Sequence, residues 1–533
     1  MKKLFASLLL FSAVLSCFSQ EVNIYWGKDN PIDRNASSFI LGKRGDLLLG
    51  YKEHKKNISI TRYAFSDLQI KGETIILGPG GTASGKVIDK DYTFEDLYLL
   101  KHKNYVFVSK YDRKTDLNSM YMQELTNEGS LTGSLRKLAD ISSKSKRNSG
   151  SFLVFPSVDS TKILVVNNPP YEKYAGEKFG YKIFDENLNL LNDLSVELPY
   201  KDKKFEAEDY VLDNDGTIYM LATIDLERKD MKKGQAKYYY EIIAIAPGGK
   251  GQVTEYEVKL PGKDLDDLAF ILDGDKIICS GFYGDAGSWS GDIKGVYFMR
   301  INKKTKQIEA TGVKDLDKEF VADLTSARKA NKGKGISNAF TLTDFEKRSD
   351  GGSILVSEFS YDYVVQVCTS DPKTGVQTCH YDYHYIRNNI IAININPDGS
   401  IKWYANIPKY QHTVNDGAQY SSYLMAKKGN KLYFVYNDNP KNMDAEKMKS
   451  AKKPFTMSNP RKSSAVLVEL SEDGTFNKKT LFSNKENKMI ITPSSADWIS
   501  DNECIISAVN YGSYCCFIPL KKGKSKLARF EFK

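Results

Sequence analysis

The sequence predicts an all-β fold built by repetition, and three observations carry that prediction. A unit of four short strand-like runs recurs eight times along the 533 residues. Its runs are four to eight residues long and rich in Val, Ile, Tyr and Phe. The turns between them are short, polar and built from Gly, Asn and Asp. The clearest copy runs from Glu208 to Pro261: EDYVL, a D-N-D-G turn, TIYMLATI, a variable connector, YEIIAIAP, a G-G-K-G turn and VTEYEVKLP.

Second strands of the unit begin at Asp46, Asn104, Lys162, Thr217, Lys276, Ser353, Lys431 and Glu503, 55 to 78 residues apart. Third strands begin near Asn57, Ser119, Gly180, Tyr240, Gly295, Asn389, Ser464 and Tyr514. Several runs are apolar on consecutive residues, as strands covered on both faces are. A lone four-stranded sheet cannot bury both faces. Copies set radially bury each sheet between its neighbours, and closing the ring protects the edges. The predicted fold is therefore a β-propeller of four-stranded antiparallel blades, eight by direct count. Seven blades with an N-terminal extension is the alternative, because the first copy is the least regular; an open solenoid is the structural rival. At the end of the chain, KLARFEFK reads as the last copy's own outer strand, and VNIYWG near the N-terminus as one strand more.

Residues 1–20 stand apart. Lys2 and Lys3 precede an apolar run too short to span a bilayer comfortably, and small residues follow, as in an export signal. Cleavage before Gln20 is one expectation. The other is lipoprotein processing at Cys17, which follows a lipobox-like Ala13-Val14-Leu15-Ser16 and would tie an otherwise soluble domain to a membrane. Residues 21–533 then form a single propeller domain, read as a monomer, with long insertions near 303–345, 360–388 and 438–462. Net charge is +9, with Lys scattered among Asp and Glu, so the excess describes a solvated surface rather than a nucleic-acid footprint.

Six cysteines lie beyond the signal. Cys368 and Cys379 flank TSDPKTGVQT, a turn between two strand-like runs, and are the expected disulfide in an oxidising compartment. Cys279, Cys504, Cys515 and Cys516 sit in apolar runs where buried free thiols are the usual outcome.

INPDGSIKWYANIPK, from Ile395 to Lys409, resembles one blade of the quinoprotein and related bacterial propellers, in which a turn precedes a Trp. Only this copy carries the Trp, Trp403, so the resemblance implies blade geometry and no quinone cofactor. The whole mature chain is similar to exported propeller proteins of Gram-negative bacteria, through its architecture and phrases such as IPKYQ, SSYLMA and VYNDN. That resemblance implies a periplasmic, cell-surface or extracellular location and names no catalytic residue.

Loop lengths point to one face. The excess length falls in the second-to-third loops of copies six and seven and in the connection after copy five, which emerge on the same side of a disc. In copy six, SYDYVVQVC and CHYDYHY form a hairpin. Pairing Cys368 with Cys379 sets Gln366 against Tyr381, Val364 against Tyr383 and Asp362 against Tyr385, all on one face. Such a stiff, Tyr-rich finger suits a protein or glycan ligand.

Candidate binding residues are Tyr361, Tyr383 and Tyr385 on the finger, Lys409, Gln411, His412 and Tyr423 on the next connection, and Asp438 and Asn442 after it. His380, Asp382 and His384 share a strand face, but the two histidines stand ~13 Å apart along a regular strand, too far for one zinc ion. No metal or cofactor is expected. Phe320, Leu324 and Ala327 give an apolar stripe that predicts a helix within Lys314–Gly335.

No nucleophile elbow, zinc-protease helix or P-loop occurs. Glu358, Asp362 and His412, with Tyr383, are the residues a glycan- or peptide-directed hydrolase or lyase would use. The favoured expectation is a non-enzymatic binding or scaffold protein working through its long-loop face; a structural subunit of an envelope complex is a third.

Overall fold

The computed structural model describes residues 21–32, 36–79, 81, 86–227, 237–248, 251–288, 291–451, 453–510, 513–515, 518–521 and 523–533. The expected export signal, with Cys17, lies outside them, as does Cys516. The described residues form eight sheets, the blades of a β-propeller: five have four strands, two have five and one has six, each built on a four-stranded antiparallel core. Blades 1 to 7 occupy residues 36–78, 93–142, 151–201, 205–258, 263–315, 340–407 and 424–483; blade 8 combines 497–532 with 22–26.

Consecutive apolar strand residues have the role the sequence gives them. Eight clusters of buried side chains lie between the blades, one for each neighbouring pair. Leu49 and Ile58 of blade 1 meet Leu97 and Val106 of blade 2, Leu355 and Ile391 of blade 6 meet Phe298 of blade 5, and Leu467 of blade 7 meets Ile506 and Phe530 of blade 8. The cluster joining blade 8 to blade 1 is small, with Leu48, Tyr63, Leu68, Ile505 and Leu527 as its buried members. It closes the ring, so neither the solenoid nor the seven-bladed alternative holds.

The closure differs from expectation in one respect. Lys524–Phe532, containing KLARFEF, is the third strand of blade 8 rather than its outer one, pairing Glu531 with Glu503 and Lys524 with Asn510. The outer strand is Val22–Trp26, with Val22 opposite Phe532. The first and last long strands of the described residues thus share one sheet, and the Lys533 amide donates to the Glu21 carbonyl at 2.9 Å. The expected third strand near Tyr514 is instead part of a small hairpin, Ser513–Cys515 with Ile518–Lys521, between the second and third strands. Its local β pattern fits either place, and the longer ladder along Glu503–Asn510 decides.

First strands of neighbouring blades touch, which puts them at the axis. Several carry a bulge beside an Asp: Asp96, Asp209, Asp267, Asp344 and Asp497. Some of these carboxylates reach across to the next blade. Asp267 accepts from the Leu342 amide at 2.9 Å, Asp497 from the Ile40 amide at 3.1 Å, and Asp344 from the Tyr423 hydroxyl at 2.8 Å. The bulge frees an amide from its own ladder and the neighbour's carboxylate accepts it.

On the outer rim Trp403 donates to the Glu472 carbonyl at 2.7 Å and lies against Gly474, where an added Cβ would sit 2.9 Å from the ring. Trp403 therefore secures the turn of the next blade.

The connection after blade 5 is narrower than 303–345, because Gln307–Asp315 is that blade's fourth strand. The expected helix is two short ones, Lys318–Leu324 and Ala327–Asn331; the Ser326 side chain caps the second by accepting from the Lys329 amide. Phe320 stacks on Tyr404 with centroids 4.6 Å apart, so the helices cover the interface between blades 5 and 6. Among the described residues no helix is long and apolar enough to cross a membrane.

Candidate functional site

Second-to-third loops and blade-to-blade connections leave the same face of the disc, and two of them meet over blades 6 and 7. Strands Ser353–Ser370 and Gln377–Ile395 run through blade 6 and continue outward as a finger. The step from blade to finger is a register shift between Glu358 and Ser360. Beyond it the pairing is the expected one: Asp362 with Tyr385, Val364 with Tyr383, Gln366 with Tyr381 and Cys368 with Cys379, the last pair a disulfide. Asp371 shapes the tip, its carboxylate accepting from the Lys373 and Thr374 amides at 2.7 and 3.0 Å.

The finger is not a bare hairpin. Gln411–Val414, from the next connection, adds a third strand along His384–Arg387. Asn415 extends this contact: its side-chain oxygen accepts from the Tyr383 amide at 2.8 Å and its nitrogen donates to Asp382 at 2.8 Å. The segments 360–388 and 409–423 therefore form one body.

One face carries a row of rings. Tyr361 stacks on Tyr363 at 5.8 Å, Tyr363 on His384 at 4.5 Å and nearly parallel, and His384 Nδ1 lies 3.0 Å from His412 Nε2. That short contact needs one nitrogen to donate and the other to accept. Burial and the neighbouring His384 ring hold the His412 imidazole below its usual range, which favours the neutral form such a bond requires. The opposite face presents Val364, Tyr381 and Tyr383, about half exposed at 54%, 58% and 49%.

Beneath the finger lies a buried polar layer. The Lys409 ammonium, fully buried, meets Glu358 at 2.5 Å and donates to the Arg387 carbonyl and to Gln411 Oε1, each at 2.9 Å. Burial pulls the lysine pKa down and Glu358 opposes that pull. Ser422 donates to the other Glu358 oxygen at 2.9 Å, and Gln411 donates to the Asn437 carbonyl at 2.8 Å. Asn437 continues the layer to the Tyr420 and Ile491 carbonyls, each at 2.9 Å. Asp438 is ion-paired with Lys478 and accepts from Asn442 at 2.8 Å.

This geometry corrects several expectations. Lys409, Gln411, Tyr423 and Asp438 are buried: Lys409 and Gln411 brace the base of the finger, Tyr423 ties blade 7 to Asp344 of blade 6, and Asp438 is held within blade 7 by Lys478. Asn442 exchanges hydrogen bonds with the Phe455 backbone and shapes its own loop. Glu358, Asp362 and His412 do not converge: Glu358 is held by Lys409, Asp362 by Arg387 at 2.5 and 3.1 Å, and His412 by His384. Tyr361 and Tyr383 are exposed; Tyr385 and His412 are half-buried.

Sequence reasoning missed Arg387, Tyr363 and Tyr381, and also the strand formed by 411–414. Strict alternation along SYDYVVQVC and CHYDYHYIR pointed to the first three; four residues ending before Asn415 carry too little pattern to announce a strand. Cys279 and Cys504 are buried free thiols.

No family model matches the sequence, and no curated protein matches it. Solved structures resemble this chain at low identity. The WD40 domain of SCAP from fission yeast is 11% identical, with a TM-score of 0.37 over 96% of this chain and 98% of that one. The polysaccharide lyase Uly1 is 9% identical, with a TM-score of 0.37 over 93% and 90%. Prolyl oligopeptidase B from Galerina marginata is 10% identical, with a TM-score of 0.36 over 91% of this chain but 55% of that one. Likenesses this distant carry no argument about activity.

Proposed function

We propose that this chain is an exported, non-enzymatic β-propeller that docks a protein partner through the finger of blade 6. The observation that carries the reading is the finger itself. It projects beyond the blade on two long strands, is closed by a disulfide, and exposes Tyr361, Val364, Tyr381 and Tyr383. Blade packing needs none of these side chains.

Rigid tyrosines give contact area at little entropic cost on binding. Val364 among them, with Val365 also exposed on the finger, favours a protein surface over a glycan, whose recognition rests on aromatic faces and polar groups. The Lys409–Glu358 layer fixes the base, so the finger is pre-organised. Export rests on the N-terminal residues and on a disulfide that an oxidising compartment preserves.

The test is a quantitative pull-down from envelope extract with the wild type and a Tyr361→Ala/Tyr381→Ala/Tyr383→Ala variant, alongside a glycan array. A protein enriched by the wild type and lost by the folded variant supports the reading. Equal enrichment contradicts it, as does glycan binding that depends on the same tyrosines. Mass analysis of the mature N-terminus tests export, expecting Gln20, or a lipidated Cys17.

A further inference from the structure

A second feature of the long-loop face lies between blades 3 and 4, away from the finger of blade 6. A cavity of about 560 Å³ opens there, bounded by the starts of both first strands and by the loop 169–176. The loop is strapped over the space rather than collapsed into it. Asn148 exchanges two hydrogen bonds with the Tyr171 backbone, at 3.1 and 3.0 Å. Asp202 accepts from the Glu172 amide at 2.6 Å, and its own amide donates to the Ala175 carbonyl at 3.0 Å.

Three rings stand among its mostly polar walls. Phe205 stacks on Tyr200 at 5.8 Å and Tyr210 on Phe155 at 5.3 Å, while Tyr171 stands half-exposed at the rim. Into this space faces Glu177, a half-buried carboxylate with no hydrogen-bond donor and no cation bonded to it among the described residues. The charged groups around it are accounted for. Asp202 is engaged with the loop, Lys178 turns to Glu197 at 3.3 Å, and Glu172 and Arg147 are exposed at the rim. Burial and then Asp202 push the Glu177 carboxyl up to about 7, with no cation drawing it back.

We infer that this cavity binds an organic cation, the guanidinium or ammonium head of an arginine or lysine side chain, with Glu177 as its counter-ion and the rings of Phe205 and Tyr210 against its stem. A carboxylate with free lone pairs accepts N–H donors, and the rings pack against the methylene stem that carries them. A calcium ion would want six to eight oxygens, and one free carboxylate, with Asp202 engaged in the loop, does not supply them. The cation supplies the partner that Glu177 lacks, so binding strengthens as the carboxyl ionises.

The experiment is an NMR titration of the full mature chain with N-acetylargininamide and with its neutral isostere N-acetylcitrullinamide. Saturable binding of the arginine compound is expected at pH 8, weakening as the pH falls to 6. Glu177→Gln should weaken it about 10-fold or more, the loss of a charge-assisted contact, and the citrulline compound should bind no better than to that variant. Arg147→Gln should bind at least as tightly as the wild type. Glu177→Gln removes a desolvated charge and should fold; near-ultraviolet circular dichroism checks it.

The inference is overturned if millimolar probe shows no saturable binding to the wild type, if Glu177→Gln binds equally, or if citrulline matches arginine. A site responding to calcium and not to arginine overturns it too. The triple-tyrosine variant of the finger should bind the arginine compound unchanged, which separates this site from the finger.

Discussion

Lys409 and Glu358 show how much a single buried pair decides. Both side chains are essentially excluded from solvent, and each is satisfied by further hydrogen bonds. Lys409→Met would strand the glutamate without its cation; urea denaturation should show a loss of about 3–5 kcal/mol. Replacing both by apolar residues should recover much of that. Glu241 makes a prediction about pH. Burial pushes its carboxyl up to about 7, with Glu255 and Glu257 adding to the rise, while Tyr200 donates to it. A folded-state pKa above the unfolded one gives stability that is full below the unfolded value and lost as pH rises through about 7. Wild type should therefore lose, relative to Glu241→Gln, on the order of 1–3 kcal/mol between pH 5 and pH 8, read as diverging urea midpoints.

Among the elements, the finger combines the most legible and the least legible parts of the chain. Its register followed from Cys368, Cys379 and alternation with a period of two, and the ladder agrees residue by residue. Its support did not. Lys409 and Gln411 look like loop polarity in sequence, because nothing local says that Glu358 of the neighbouring strand closes over them. Long-range pairing also decided the chain end, where KLARFEF fits an outer or a third strand equally well. The disulfide closes a loop of 11 residues, which is worth roughly 2–3 kcal/mol by chain entropy, and the element is an appendage. Replacing Cys368 and Cys379 by Ser should speed amide exchange from 361 to 386 while leaving the melting temperature of the blades nearly unchanged.

For the whole molecule, periodicity was the readable part: eight copies became eight blades. Closure was harder to read, since it depends on Val22–Trp26 crossing to Lys524–Phe532 at the far end of the sequence. The seam between blades 8 and 1 has few buried apolar side chains, and Asp497 on Ile40 helps to fasten it. Deleting residues 21–26 exposes Phe530 and Phe532 and removes the last ladder. The ring should open there first, seen as faster exchange in blades 8 and 1 than in blades 3 to 5.

Under the proposed function, the finger of blade 6 is where the protein partner docks. A photo-crosslinking residue placed at Val364, exposed on the finger, and in a second variant at Asn187, in a turn on the opposite face, tests it directly. The account predicts that the protein recovered through the three tyrosines forms an adduct at position 364 and none at position 187. That protein, still bound but crosslinking only at position 187, or at neither position, would contradict it.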